Sequence, residues 1–109
     1  MTDKIVVMVT GGSAAECKRI ARRLLEKRLV ACVNLLPRMR SLYRWEGKIA
    51  DEAEYLMLLK STRELFPELR KEVEKHHSYS VPEVIALPII DGAPNYLNWI
   101  TECVSASEG

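Results

Sequence analysis

Two adjacent histidines, His76 and His77, have the chemistry to hold a metal ion. Imidazole nitrogen suits Cu(II), the first-row divalent ion that such sites bind most tightly. Adjacency works against sharing one ion, because neighbouring helix residues point about 100° apart and do not face each other. The simpler reading is a helix-end pair interacting favourably with the helix dipole. The 3 cysteines, Cys17, Cys32 and Cys103, are odd in number and widely spaced. No CxxC occurs, so neither a zinc knuckle nor a dithiol redox pair is indicated. Free thiols in a reducing cytosol account for them most simply.

A second set is aromatic and charged: Tyr43, Trp45, Lys60, Tyr79 and Glu83. Strand alternation puts Tyr43 and Trp45 on one face, with Lys60 at the end of the returning arm. Tyr79 and Glu83 fall in a loop before the last strand. A lysine–glutamate pair with two phenols and an indole can hold a small polar ligand. The same set can equally supply interface hydrogen bonds, since aromatic residues are enriched in interface cores. Gly11-Gly12-Ser13 could offer free amides to a phosphate, but no P-loop or dinucleotide fingerprint follows, and a turn plus helix cap suffices. Catalysis has little support. Hydrolysis of the acylphosphatase kind needs an arginine in that loop beside a water-positioning asparagine. Asn34 is present, yet no arginine lies between Val9 and Lys18.

The elements that must position these groups follow from hydrophobic period and turn chemistry. Lys4 to Val9 (KIVVMV) is a β-branched run suited to a central strand. Ser13 with Glu16 three residues on is a capping box, and Cys17, Ile20, Ala21 and Leu24 give one apolar stripe, so the first helix spans about Ala14 to Lys27. Leu29 to Leu36 begins a strand, Pro37 forces a bulge or edge position, and the segment resumes through Trp45. A turn at Glu46-Gly47-Lys48 reverses the chain, and Tyr55 to Lys60 returns. Each arm of this hairpin, Val30 to Lys60, can exceed a dozen residues, against a usual five or six. Thr62 is the expected cap of a second helix carrying Leu65, Phe66, Leu69 and Val73 inward, with Pro67 as an alternative, later start. Val84 to Ile90 is a last strand, held to an edge or bulge by Pro88. Asn95 to Val104 carries Tyr96, Trp99, Ile100 and Cys103 at helical spacing, and the small polar tail Ser105 to Gly109 is expected to fray.

The order β-α-β-β-α-β plus a short helix predicts an α+β, ferredoxin-like sandwich with both helices on one sheet face. The other face is then bare, and a second subunit is the simplest cover. With 109 residues, one domain covering 1–109 is expected. Net charge is +1, from 16 basic and 15 acidic residues, which gives no footprint for nucleic acid. The basic cluster Lys18, Arg19, Arg22, Arg23, Lys27 and Arg28 reads as a solvated helix face. Met1 to Val9 has neither the charge pattern nor the length of a secretory signal, and no run approaches the ~20 residues of a membrane span. A cytoplasmic protein is expected.

The run Ala31 to Ile49, ACVNLLPRMRSLYRWEGKI, resembles the hallmark segment of the CutA family, proteins linked to divalent-cation tolerance. LLKST at Leu58 to Thr62, HxYxVPEVIALPI at His77 to Ile89, and YLNWI at Tyr96 to Ile100 follow in order. The resemblance implies a non-enzymatic homotrimer, similar in architecture to the PII signalling proteins, that requires no cofactor and binds copper or another divalent metal. Some members have a copper site attributed to the adjacent histidines and a first-strand cysteine. Val9 occupies that cysteine position here, leaving Cys32 as the substitute thiolate, against its reading as a small buried hydrophobe. The resemblance also implies that Tyr43, Trp45, Lys60, Tyr79 and Glu83 line clefts between subunits. The alternative function is then a PII-like sensor taking a polar or anionic ligand in those clefts. This chain departs from the family's common HPYEVPE by carrying Ser78 and Ser80.

Overall fold

A computed structural model describes residues 2–105, so residues 106–109 of the expected frayed tail lie outside it. The elements are β1 (Lys4–Gly11), α1 (Ala14–Glu26), β2 (Cys32–Trp45), β3 (Lys48–Thr62), α2 (Phe66–His76), β4 (Val84–Pro88) and α3 (Pro94–Cys103). The antiparallel sheet has the order β2-β3-β1-β4. This is the ferredoxin-like arrangement expected from the element order.

Strand alternation divides the sheet into two faces. Ile5, Val7 and Val9 of β1 and Met57 and Leu59 of β3 point to the helix side. There they join Cys17, Ile20 and Leu24 of α1 and Leu69 and Val73 of α2 in one buried core. The opposite face carries Val6, Met8, Leu56 and Leu58, with Leu36, Ile85 and Leu87 beside them in register. Leu36, Ile85 and Leu87 remain 39%, 49% and 48% exposed. The face is not wholly bare: α3 packs against β3, and its Ile100 is fully buried outside the helix-side core.

Local chemistry explains the element ends. The Ser13 hydroxyl accepts the Glu16 amide at 3.1 Å, as a helix cap should. The reciprocal half of the expected capping box is replaced, because the Glu16 carboxylate accepts the distant Ser78 amide at 3.0 Å. α1 closes with Arg28 at φ 58, where the Arg28 and Leu29 amides bond Leu25 and Leu24 carbonyls, a Schellman ending. Leu29 and Val30 are therefore buried loop residues, and β2 starts later than expected, at Cys32. Thr62 does not cap α2. It ends β3, and α2 begins at Phe66 with Pro67 in its first turn, where a missing amide hydrogen costs nothing.

Pairing shifts register between Leu36 and Met39, which places the bulge at Pro37-Arg38. Beyond it the hairpin closes through Glu46 and Gly47, both at positive φ, in a two-residue turn. β1 runs out opposite Tyr55, so Lys48 to Glu54 pair only with β2. The distal hairpin is a two-stranded ribbon standing clear of the sheet.

Gly11 ends β1 where a Cβ would lie 2.5 Å from the Cys17 sulfur. Gly11→Ala should therefore lower stability by about 2 kcal/mol in urea melts. In a Cys17→Ala background most of that cost should vanish; an unchanged cost would show that the close approach is not its cause.

Candidate functional site

The two histidines belong to different local structures. His76 ends α2, with Nε2 at 3.0 Å from a Glu72 carboxylate oxygen. Glu72 also receives Arg23 Nε at 3.1 Å and Lys27 Nζ at 3.0 Å from α1. Burial opposes ionisation of Glu72, but hydrogen bonds from Lys27, Arg23 and His76 outweigh it and bring its pKa to about 2. This cluster clamps α1 to α2. His77 is buried under the end of β1, with Nε2 at 2.7 Å from the Thr10 carbonyl and Nδ1 accepting the Tyr79 amide at 3.1 Å. A carbonyl only accepts and an amide only donates, so the ring is the neutral tautomer with its hydrogen on Nε2. Neither nitrogen has a lone pair left for a metal.

Cys32 lies elsewhere. It pairs with Lys60, whereas Thr10 pairs with Leu56, about 13 Å along β3 at the usual rise. Cys32 sits by Asn34, Lys60 and Tyr96, with Lys60 also bonded to Asn34. Among the described residues, no three His, Cys, Asp or Glu side chains converge to hold a metal. His76, His77 and Cys32 do not fit a copper site within one subunit.

The aromatic set fares differently. Tyr43, Trp45, Tyr79 and Glu83 line one cavity of about 730 Å³ between the ribbon and the loop before β4, together with Glu52 and Glu54. Lys60 is not part of it. The loop is stapled by His77 to Thr10 of β1, by Ser78 to Glu16 of α1, and by the Tyr79 hydroxyl, which donates to Glu54 of β3 at 2.8 Å. A proline at position 78, as in the family's common motif, has no N–H to give Glu16. The Tyr79 ring also tilts on His77 at 4.7 Å between centroids. Gly12 leaves room for it: a Cβ there would meet the Tyr79 hydroxyl at 3.3 Å.

Burial and Glu54 push the Tyr79 hydroxyl pKa well above its ordinary value. Desolvation, Glu52 and Glu54 raise Tyr43 likewise. Arg40, the one cation among the described residues that line it, is paired with Asp51 at 2.8 Å. By alternation both belong to the opposite ribbon face from Tyr43. Glu52 and Glu54 went unrecognised in the sequence, although the signal was there. With Glu46-Gly47 as a two-residue turn, Trp45 faces Lys48 and Ser41 faces Glu52, so both carboxylates share the face of Tyr43 and Trp45.

Fold and site together define a ferredoxin-like α+β subunit with a ligand-sized acidic pocket at the root of an oversized hairpin. The family model of the CutA1 divalent ion tolerance protein matches residues 5–103, and the chain belongs to that family. It is 44% identical over 97 residues to the divalent-cation tolerance protein CutA of Thermus thermophilus, covering 89% of this chain and 94% of that one. The mouse protein CutA is 48% identical over 102 residues, 91% of this chain but 58% of the longer mouse protein. The structure of the CutA protein of Archaeoglobus fulgidus, described as a periplasmic divalent cation tolerance protein, superposes with a TM-score of 0.91 at 43% identity, over 94% of this chain and 99% of that one. No helix among the described residues is long and apolar enough to cross a membrane.

Glu72 is held ionised in the folded state, so its contribution is complete above its ordinary value of 4.5 and is lost as pH falls towards about 2. Glu72→Gln should reduce stability at neutral pH by about 2 kcal/mol and flatten the stability profile across that acid window. Urea unfolding between pH 2 and 7 checks both, and an unchanged acid limb would refute the clamp.

Proposed function

We propose that this chain is a non-enzymatic, homotrimeric protein of divalent-cation tolerance whose ligand-binding surface is the acidic aromatic pocket, in a reducing compartment suited to its free Cys17, Cys32 and Cys103. The observation that carries the assembly is the open sheet face. Leu36, Ile85 and Leu87 form an exposed apolar surface there, and Trp99 of α3 is also 40% exposed. Surfaces of that kind mark protein interfaces. The ribbon adds to the argument, since a two-stranded hairpin is marginal by itself and this one exposes Leu42 and Ile49.

The pocket also separates the metal-tolerance reading from the sensor reading. Glu52, Glu54 and Glu83 outnumber the one rim arginine, which Asp51 already neutralises. An anion such as a nucleotide phosphate would face uncompensated carboxylates, so the pocket favours cations. The copper reading through His76 and His77 gains no support from their hydrogen bonding.

Light scattering behind a sizing column should give three times the 12.4 kDa subunit mass; a monomer at micromolar concentration would sink the assembly. In calorimetric titrations ATP should be flat. Any Cu(II) binding should survive His76→Ala and weaken about tenfold in Glu54→Gln, the size of one charge-assisted contact. Copper binding abolished by His76→Ala instead would return the site to the helix end.

A further inference from the structure

We infer that the pocket of Tyr43, Trp45, Tyr79 and Glu54 is a binding site for an organic ammonium compound rather than for a bare metal ion. The inference rests on the pocket reading above and names its ligand class.

Three features of the cavity lead there. First, its volume of about 730 Å³ falls in the range of small-molecule sites, about 300–1,000 Å³. A bare divalent ion instead needs oxygen or nitrogen ligands on all sides at about 2.0–2.6 Å. No three His, Cys, Asp or Glu side chains among the described residues approach that arrangement. Second, two phenols and an indole line it. Aromatic faces attract weakly hydrated cations through the ring quadrupole, and alkylammonium groups are recognised this way. Third, the carboxylates carry unbalanced charge. The salt bridges among the described residues include none to Glu52, Glu54 or Glu83. Glu54 is only 5% exposed, and its bonded partner is the neutral Tyr79 hydroxyl. A cation that sheds its water against the rings would supply the missing counter-charge.

The site is also built in advance. Tyr79 is fixed at its hydroxyl by Glu54, at its amide by His77 and at its ring by His77. Tyr43 and Trp45 stand two residues apart on one strand face, in register with Ala50 and Lys48 across the ribbon, and Glu52 lies on that same face opposite Ser41. Desolvation first, and then the carboxylates of Glu52 and Glu54, raise the pKa values of Tyr43 and Tyr79, and that second cause is a negative field that an ammonium would experience as attraction.

The test compares choline with 3,3-dimethylbutan-1-ol, its neutral isostere in which carbon replaces nitrogen. The chain has 2 tryptophans, so Trp99→Phe leaves Trp45 as the sole indole fluorophore. In this full-length variant, choline should change Trp45 fluorescence saturably, and the isostere should bind at least about tenfold more weakly. Glu54→Gln should weaken choline about tenfold and leave the isostere unaltered, and Glu52→Gln and Glu83→Gln, which are exposed and disturb no buried group, should weaken choline by a smaller factor and leave the isostere unaltered too. Equal affinity for choline and the isostere overturns the inference. Flat choline titrations with saturable Cu(II) or Zn(II) binding at Glu54 overturn it while sparing the cationic pocket. Flat titrations with choline and with both metals remove the pocket reading as well.

Discussion

The constraint on which this molecule turns is a mismatch of strand lengths: β3 has 15 residues and its central neighbour β1 has 8. Where they overlap, β3 lies inside a four-stranded sheet and contributes Met57 and Leu59 to a fully buried core. Where β1 stops, β3 has only β2, and the chain emerges as a ribbon with little to rest on. Ribbons of this kind are marginal in water unless something else packs on them. The Pro37 bulge sits at the boundary and lets the ribbon take its own register and direction. The pocket exists because of the same mismatch, since its walls are the free-standing ribbon and the loop pinned to the end of β1.

Two buried glutamates show how one residue type is put to different uses. Glu72 is 7% exposed and receives Arg23, Lys27 and His76. Its charge is compensated, so it serves to hold two helices together. Glu54 is 5% exposed and has a phenol where Glu72 has cations. Leaving an ionised carboxylate with a neutral donor is costly. The helix clamp finds its compensation within its own subunit, whereas the Glu54 carboxylate at the pocket wall has only a hydroxyl donor there.

Much of the fold was legible because periodicity and turn residues agree along this chain. Ser13 marks the α1 start, Pro37 the bulge, Glu46-Gly47 the turn and Pro88 the edge strand, each by a mechanism local to a few residues. The failures share a different origin. Glu16 completes a capping box in sequence, but in space it reaches Ser78, 62 residues away. Thr62 has the composition of a cap, yet the β1–β3 ladder claims it up to its pairing with Lys4. Tertiary contacts override local preference in both cases. Reading along the strand groups Lys60 with the aromatic set, whereas within one subunit it sits at the Cys32 end of β3, away from the ribbon.

The histidine pair shows why residue type without hydrogen-bond accounting misleads about metals. Adjacent imidazoles read as ligands only while their nitrogens are free. His77 gives its hydrogen to Thr10 and its lone pair to Tyr79, and in doing so fixes the loop that carries Tyr79 into the pocket. His76 is drawn into a cluster with two cationic partners, Arg23 and Lys27, whose charges repel an arriving metal ion. Both residues therefore act through protein contacts: one closes α1 onto α2, the other shapes the pocket wall. Within one subunit the carboxylates and rings converge on the pocket, and His77, which looks most like a metal ligand, braces that pocket's wall from behind through Thr10 and Tyr79.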